Sequence, residues 1–327
     1  MSKIRIGQIG TGHGHAAGKM AVFRASNDYE VVGVVESDPR LRATAKMNDV
    51  YDGVPWMSEA QLLETPGLQA VAIETNVAGL LDAAEKAVAA GCHVHFDKPA
   101  GASLPRYQAL LDEASRKHLL VQMGYMYRYN PAVVMLHDFL DRGWLGKPFE
   151  LHAVMSKVVS PSSRRPLAAF EGGMMFELGC HLIDLVVGVL GEPDEVTPYV
   201  QHVSSLDDGL NDNMLAVLTY PQAMATVKSS GVEVEGFDRR HLVVCGTEGT
   251  FHMRPLDAPN VRVAFAAAHG DYRRGYQDIT LGDYDRYVAD VADMARIIRG
   301  EKDPDYSYDH DLRVQRTVLR ACGMPLD

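Results

Sequence analysis

Glu177, His181 and Asp184 combine residue types and spacing that suggest proton-transfer chemistry. They are four and three residues apart, so on a helix they share one face. Histidine is the side chain best suited to moving a proton near neutral pH, and a neighbouring carboxylate orients its ring and tunes its pKa. The spacing therefore predicts a general base. A core histidine at a domain interface, held by one of these carboxylates, is the alternative.

Lys98 is a second candidate, because it follows the apolar run His93–Phe96 within Asp97-Lys98-Pro99. The carboxyl ends of parallel strands are where such sheets bind ligands, and a lysine there could stabilise a developing oxyanion. Pro99 restricts Lys98 to extended backbone, and the bond joining them is of the kind that can be cis. A surface lysine on a strand-exit loop is the alternative.

A glycine-rich turn, Gly10-Thr11-Gly12-His13-Gly14-His15, follows the apolar run Ile4–Ile9 and precedes a helical pattern. Strand, glycine turn and helix form the context of the dinucleotide fingerprint, in which backbone N–H groups bind a pyrophosphate. Glu36 ends the next apolar run about 20 residues after His15, where a carboxylate binds the ribose hydroxyls of NAD. These features predict a dinucleotide site. A glycine turn without a ligand and a solvated Glu36 are the alternative.

Strands alternate with helices up to residue 125, which predicts a doubly wound parallel sheet. Residues 10–15, Glu36, Thr75-Asn76, 97–99 and Tyr125 follow its strands and would meet at one edge. Beyond residue 130, alternating apolar and polar residues with hairpin turns predict a mainly antiparallel sheet with one wet face. Segments 161–166 and 256–275 are predicted to be loops. The predicted domains are 1–125 and 126–327.

Composition limits the functional classes. A chain of 327 residues favours two domains, and its net charge of −11 opposes binding to nucleic acid or anionic membranes. No apolar run reaches the ~18 residues of a membrane span and no signal peptide is evident, so a cytoplasmic location is predicted. The four cysteines are far apart and indicate reduced thiols. The histidine pairs 13/15 and 93/95 have no carboxylate-rich ligand set beside them in the sequence, so no metal is expected.

Four motifs together resemble the Gfo/Idh/MocA family, which includes glucose–fructose oxidoreductase and inositol dehydrogenase. They are segments 10–15, 90–99, 173–184 and 246–250. The resemblance implies an N-terminal NAD(P)-binding Rossmann domain and a C-terminal α+β domain with a large, mainly antiparallel open sheet. It also implies an oligomer interface on that sheet and substrates that are mostly sugars, cyclitols or their derivatives.

The resemblance also assigns roles to particular residues. Lys98 matches the lysine of the family's Glu-Lys-Pro motif, and His181 matches its catalytic histidine. Asp97 stands in place of the usual Glu, and Glu177 stands where an Asp usually precedes the histidine by four residues. Each departure keeps the charge and changes the reach by one methylene. His15 at the third glycine position is tolerated in the family.

The predicted function is that of an NAD-dependent oxidoreductase, which transfers hydride between nicotinamide and a secondary hydroxyl of a sugar, cyclitol or derivative. His181 acts as general base, Glu177 orients it, and Lys98 holds the substrate oxygen. The predicted cofactor contacts are Gly10, Thr11, Gly12, His13, Gly14, His15, Glu36, Thr75, Asn76, Asp97 and Lys98. The predicted substrate contacts are Lys98, Tyr125, Arg128, Arg164, Arg165, His181 and Asp184.

NAD is favoured over NADP because Glu36 would repel a 2′-phosphate, although nearby Arg40 weakens that argument. The expected assembly is a homodimer or homotetramer formed through the C-terminal sheet. Two other functions stay open. One is an enzyme that keeps its NAD and hydrolyses or eliminates a glycoside without net redox change. The other is a non-catalytic NAD-binding sensor.

Overall fold

The computed structural model describes residues 2–169, 171–258 and 260–327. The chain forms two compact units. The first contains the residues up to 126, together with 285–312 and residue 327, and the second contains 127–284 and 313–326. Segment 285–312 therefore lies in the first unit, a placement that the predicted division after residue 125 did not include.

The first unit is built on a six-stranded parallel sheet with the strand order β3-β2-β1-β4-β5-β6. Its strands are β1 (Ile4–Ile9), β2 (Tyr29–Val35), β3 (Trp56–Met57), β4 (Ala70–Ile73), β5 (His93–Phe96) and β6 (Val121–Met123). This is the doubly wound order of Rossmann folds, so the predicted fold class of this unit is confirmed. The strand order reverses beside β1, which places a ligand site at the carboxyl ends of β1 and β4.

Five helices connect these strands: α1 (Ala16–Ala25), α2 (Pro39–Ala45), α3 (Glu59–Leu63), α4 (Val77–Ala89) and α5 (Leu104–Arg116). A 3₁₀ turn, Asp49–Tyr51, follows α2. Polar side chains cap four of the helix N-termini and accept hydrogen bonds from otherwise unpaired N–H groups; they are Asp38, Ser58, Asn76 and Ser103. Local sequence thus fixes where each of these four helices begins.

The second unit contains an eight-stranded sheet with the order β14-β13-β12-β11-β7-β10-β9-β8. Its strands are β7 (Pro148–Ser156), β8 (Glu195–Gln201), β9 (Asn213–Thr219), β10 (Met224–Ser230), β11 (His241–Gly246), β12 (Gly249–Met253), β13 (Val261–Phe265) and β14 (Gly275–Ile279). Neighbouring strands are antiparallel except β7 and β10, which are parallel. The prediction of a mainly antiparallel sheet is confirmed.

The helices of this unit are α6 (Pro131–Asp141), α7 (Pro161–Ala168), α8 (Cys180–Leu190) and α9 (Gly236–Arg239), with a π turn, Met175–Gly179, immediately before α8. The loop predicted over 161–166 is wrong, because these residues lie in α7. Pro161 occupies the first helical position, where the missing N–H costs nothing. Strand β13 likewise lies within the predicted loop 256–275.

Two helices end the chain: α10 (Val288–Ile298) and α11 (Tyr308–Cys322). The apolar face of α10 joins the core of the first unit, where Val291, Met294 and Ala295 pack with the side chains of β1. Helix α11 starts in the first unit and continues in the second after residue 312. Among the described residues, no helix combines the length and the apolar content needed to cross a membrane.

Candidate active site

The loop between β1 and α1 requires glycine at its first position. Gly10 has a φ of +91°, and a Cβ there would lie 2.4 Å from the backbone nitrogen of Thr75. The N–H of Gly10 donates to the carbonyl of Val35, and that of His13 donates to the carbonyl of Glu74. The loop is therefore held between β2 and β4, at the switch point where the predicted dinucleotide site lies.

The Glu36 carboxylate at the end of β2 faces this loop. Oε2 accepts hydrogen bonds from the N–H of Thr11 at 2.7 Å and from its hydroxyl at 2.8 Å, and Oε1 accepts one from the N–H of Asp38 at 2.9 Å. A carboxylate has about four acceptor positions. Glu36 can therefore bind a ribose hydroxyl while it keeps the three hydrogen bonds that orient it.

A cavity of about 770 Å³ lies beside Glu36 and is lined by Gly10 and Thr75 among others. Arg42 and Trp56, which the sequence analysis missed, also line it. The Arg42 guanidinium lies 5.3 Å from the centre of the Trp56 ring, a cation–π contact. The cations that line this cavity are Arg42 and Lys86, and the Lys86 ammonium donates to Glu59 at 2.7 Å.

Thr75 and Asn76 lie between β4 and α4, and local hydrogen bonds hold this connection in place. Oδ1 of Asn76 accepts from the N–H of Gly79 at 3.1 Å, and the Thr75 hydroxyl donates to the carbonyl of Asn76 at 2.9 Å. Thr75 lines the cavity beside Glu36. The Asn76 side chain serves as the N-cap of α4, and its predicted cofactor contact stays a prediction.

Asp97 and Lys98 are both buried at the end of β5. Oδ1 of Asp97 accepts the backbone N–H of Lys98 at 2.7 Å, and Nδ1 of His15 lies 3.1 Å from Oδ2. Nδ1 of His13 lies 3.3 Å from Oδ2 as well. The carboxylate therefore joins the glycine-rich loop to the strand that carries Lys98. The Lys98–Pro99 bond is cis, and Tyr125, beyond β6, is buried.

The most deeply buried cation of this region, Lys19 on α1, was also missed by the sequence analysis. Its side chain is inaccessible to solvent, and its ammonium donates to Oδ2 of Asp97 at 2.7 Å. Lys19 lies on the same helix face as the buried residues Ala16, Met20 and Phe23. A lysine within an apolar face is the signal that could have identified it, because lysine is rarely buried without a partner.

His13, His15 and Asp97 offer three possible ligand atoms within 4.8 Å of one another. The sequence spacing of the two histidines did not indicate this carboxylate, because Asp97 comes from a strand far along the chain. The Lys19 ammonium already lies against the same carboxylate oxygen and would repel a metal ion there. We therefore assign the carboxylate to Lys19 and propose no metal site.

In the second unit, the π turn presents Glu177, and α8 carries His181 and Asp184. His181 is buried, and its ring packs edge-on against that of Tyr127 with 5.5 Å between the ring centres. Single π turns within helices occur frequently at functional sites. The sequence predicted that Gly179 would interrupt regular helix, and the turn ends at that residue.

Asp184 forms a buried ion pair with Arg128. Nε and Nη2 of Arg128 donate to Oδ1 of Asp184 at 3.0 and 2.6 Å, and Nε lies 3.1 Å from Oδ2. Both side chains are buried, where a charge needs such a partner. The pair anchors α8 to the segment after Tyr127, and the predicted substrate contacts of both residues stay predictions.

Glu177 lines a cavity of about 520 Å³ together with Lys157, Ser160 and several residues of the following helix α7. Arg164, on the same helix, is buried and is held by two aspartates, with Nη2 at 2.7 Å from Asp212 and 3.1 Å from Asp208. Hydrogen bonding from Arg164 lowers the pKa of Asp208 to about 2. Arg165 is exposed. The substrate contacts predicted for the two arginines stay predictions.

Two family models match the chain. One, described as "Oxidoreductase family, NAD-binding Rossmann fold", matches residues 4–125. The other, described as "GFO/IDH/MocA C-terminal domain", matches residues 133–252. Together they cover about three quarters of the chain: the first spans all six strands of the parallel sheet, and the second spans β7 to β11 and most of β12.

Curated proteins and solved structures agree with these matches. The chain is 26% identical to the scyllo-inositol 2-dehydrogenase (NAD(+)) of Bacillus subtilis over 281 residues, which are 81% of this chain and 79% of that protein. It is 23% identical to the myo-inositol 2-dehydrogenase of Thermotoga maritima over 319 residues, 93% and 89% of the two chains. The structure of the UDP-N-acetylglucosamine 3-dehydrogenase GnnA of Acidithiobacillus ferrooxidans shares the fold, with a TM-score of 0.80, 22% identity and 99% and 98% coverage.

Proposed function

Because the chain belongs to the Gfo/Idh/MocA family of oxidoreductases, we propose that it transfers a hydride between NAD and a secondary hydroxyl of a sugar, a cyclitol or a derivative. The observation that carries the proposal is the cavity at the carboxyl ends of β1 and β2, which Gly10, Glu36 and Thr75 line. The relatives named as inositol dehydrogenases support the substrate class.

The residues of the first unit fit a nicotinamide dinucleotide. Backbone N–H groups of segment 10–15 would bind the pyrophosphate at the N-terminus of α1, and Glu36 would accept the ribose hydroxyls. When bound, NAD supplies the acceptor or donor of the hydride. NAD is preferred in this proposal because the Glu36 carboxylate would repel a 2′-phosphate, and Arg42 is the opposing charge.

Lys98 is proposed to hold the substrate oxygen and to stabilise its developing negative charge. Its side chain is 2% exposed, so an ammonium there acts in an environment of low dielectric constant. The hydrogen bond from the backbone N–H of Lys98 to Asp97 fixes the strand end that carries it. Positioning of this kind supports catalysis, because the charge needs little reorganisation during the reaction.

His181 is proposed to accept the hydroxyl proton when the substrate is oxidised and to return it when the substrate is reduced. Its place at the start of α8, packed against Tyr127, limits the orientations of its ring. Glu177, presented by the preceding π turn, would orient the imidazole and stabilise its protonated form. The cytoplasmic location and the homo-oligomeric state belong to the same proposal.

Two substitutions test the proposed roles. Lys98→Met and His181→Gln should each lower kcat by about a hundredfold or more, because each removes a group that acts in the transition state. The Kd for NAD should change little. Turnover is measured as NADH absorbance with a sugar and cyclitol panel, and the Kd is measured by calorimetry. Lys3→Met, at an exposed lysine, is the control.

The remaining outcomes distinguish the other functions. Unchanged turnover in both variants would refute the assigned roles. Product formation without accumulation of NADH would identify an enzyme that uses its NAD without net redox change. NAD binding combined with inertness toward the whole panel would identify a sensor.

A further inference from the structure

Lys19 is a buried cation that the proposed chemistry does not use. Its side chain has no solvent exposure, although it lies on α1, a helix that packs against the parallel sheet. Burying an ammonium costs several kcal/mol unless hydrogen bonds and opposite charges compensate for it. The fold must therefore supply partners for this group.

The partners lie on or directly after two neighbouring strands, β4 and β5. The Lys19 ammonium lies 2.7 Å from Oδ2 of Asp97, 3.2 Å from Oε1 of Glu74 and 3.3 Å from Nδ1 of His95. A Cβ at Gly124 would lie only 2.6 Å from Nζ. The absence of a side chain at Gly124 thus leaves the space in which the ammonium sits.

Asp97 connects this cation to the proposed active site. Its Oδ1 accepts the backbone N–H of Lys98, and its Oδ2, which accepts from Lys19, also lies 3.1 Å from Nδ1 of His15. An ionised carboxylate only accepts hydrogen bonds, so the imidazole Nδ1–H of His15 donates to it. One carboxylate is therefore shared by α1, the glycine-rich loop and the strand end that carries Lys98.

Burial and mutual electrostatic interactions shift the pKa values of Glu74, Asp97 and Lys19. Burial and the charge of Asp97 raise the pKa of Glu74 well above its usual range, against the effect of Lys19. Burial opposes ionisation of Asp97, but His13, His15 and Lys19 outweigh it and hold the pKa of Asp97 low. Burial also opposes the ammonium form of Lys19, but Asp97, Glu74 and Asp290 raise its pKa.

For two imidazoles of the cluster, His15 and His95, burial is the largest effect on the pKa and favours the neutral form. Burial lowers the pKa of His15, and Lys98 and Lys19 lower it further, while Asp97 acts in the opposite direction. Burial and the charge of Lys19 lower the pKa of His95, whose Nε2 lies 3.5 Å from Asp290 on α10. Among the described residues, the titratable and charged groups around Asp97 and His15 are Lys19, His13, Glu74, His95, Lys98 and Tyr287, whose ring centre lies 5.5 Å from that of His15.

We propose that Lys19 is a positioning residue: its ammonium is the fixed counter-charge of Asp97 and, through Asp97, orients the backbone of Lys98 and the imidazole of His15. Its effect on turnover rests on the proposed function, whereas its effect on His15 does not. The ammonium takes the place that a metal ion would need beside the same carboxylate.

The direct test is the titration of His15 in Lys19→Met. Removal of the ammonium leaves Asp97 without its counter-charge, so an imidazolium at His15 becomes the replacement and its pKa rises, by about one pH unit or more. The measurement is NMR of the histidine Cε1–H groups between pH 5 and 8.5 in the full chain without ligands. His15→Asn assigns the resonance among the thirteen histidines. Lys3→Met is the control and should leave the titration unchanged.

A second variant keeps the test decisive if Lys19→Met does not fold. Lys19→Met/Asp97→Asn removes both charges, so it should fold and should return the His15 titration to the acid side of the range. If the single variant does not fold and the double variant does, the proposal is also supported. That result would show that the buried Asp97 carboxylate is destabilising without its counter-charge. Equal loss in both variants, or a folded single variant with an unchanged His15 titration, would overturn it.

Two further readouts separate this inference from its rivals. If the chain is a dehydrogenase, Lys19→Met should keep more of its kcat at low pH, where His15 is protonated, and lose it as pH rises through the new pKa. Absence of any turnover would refute the proposed function and leave the NMR result valid. Stoichiometric Zn²⁺ binding by the wild type that Asp97→Asn abolishes would overturn the inference, because a metal ion would then supply the counter-charge.

Discussion

Glu36 and Arg42 place opposite charges at one cavity. Their balance should determine the affinity of this cavity for the 2′-phosphate of NADP. The Glu36 carboxylate is fixed by three hydrogen bonds, so its position does not adapt. The Arg42 guanidinium lies over the Trp56 ring and could offset it, whereas Lys86, the other cation that lines the cavity, is paired with Glu59. Because a fixed anion repels a phosphate and also accepts ribose hydroxyls, Glu36 should act on NAD and NADP in opposite directions.

Glu36→Ser should therefore shift the cofactor preference by about a hundredfold toward NADP. Loss of the ribose hydrogen bond weakens NAD binding by about 1.4 kcal/mol, and loss of the repulsion strengthens NADP binding by about as much, each being tenfold. Trp56 can report binding by fluorescence in a Trp144→Phe background, because the chain has two tryptophans. The two Kd values are measured by titration.

Arg42 supplies the matched control for this prediction. In Glu36→Ser/Arg42→Ala the gain for NADP should disappear while the loss for NAD persists, because the attracting cation is gone. An unchanged NAD/NADP ratio in Glu36→Ser would show that this carboxylate does not select the cofactor.

Single residues differed in how far their roles could be predicted from the sequence. The place of Glu36 beside the glycine turn was predictable, because its distance from the turn is set by one strand–helix–strand unit, and its contact with a ribose stays a prediction. Arg42 was missed: the sequence offered Arg40 as the nearby cation, and which residues of a short helix face a cavity depends on how the helix packs. Lys19 was missed, because its partners Asp97 and Glu74 come from strands far along the chain.

At the level of elements, the π turn before α8 depends on a close approach of two backbones. Gly173 has a φ of +51°, and a Cβ there would lie 2.4 Å from the carbonyl oxygen of Asn211. The N–H of Met174 donates to that same carbonyl. The turn that presents Glu177 is therefore seated directly on neighbouring backbone, which cannot move aside cheaply.

Gly173→Ala should destabilise the protein by about 2–4 kcal/mol, through the strained φ and the contact with Asn211. Gly270→Ala is the matched control, since Gly270 has a φ of +56° with open space around its Cβ position. The control should lose only about 1 kcal/mol. Denaturant unfolding of the full chain gives both values. Equal losses would show that the close approach contributes nothing.

Elements were predictable where local sequence decides them. The buried strands of the first unit and the capped helices α2, α4 and α5 follow from apolar runs, N-cap residues and glycines. The pairing of β7 with β10 and β11 could not be predicted, because these strands meet across about 70 or more residues and pairing partners leave little local signal. Helix α7 was missed because its prolines suggested a loop.

For the molecule as a whole, one face of the eight-stranded sheet carries exposed apolar side chains on both edge strands and on strands between them. Tyr199 on β8, Met224 on β10 and Tyr276 on β14 are 55%, 58% and 50% exposed. Val217 on β9 lies between Thr197 and Thr226 on the same face. An apolar surface of this kind on a sheet is typical of an interface between subunits. The sequence analysis predicted self-association through this sheet.

If the chain self-associates through this face, Val217→Lys should convert the oligomer into a monomer. A charge on this face would meet its own copy or an apolar surface across a two-fold interface, and in either case the burial that holds the subunits together would be lost. Mass is measured by light scattering after size exclusion, from micromolar down to nanomolar protein. Met47→Lys is the control, because Met47 is an exposed apolar residue of the first unit.

The two variants separate an interface from general solubility. If the sheet face is the interface, Val217→Lys has the mass of one chain at concentrations where the wild type and Met47→Lys have two or four. A wild type that is monomeric throughout would contradict the predicted assembly. An oligomer that survives Val217→Lys would place the contact elsewhere, because an interface over position 217 would have to bury an ionised lysine without a partner.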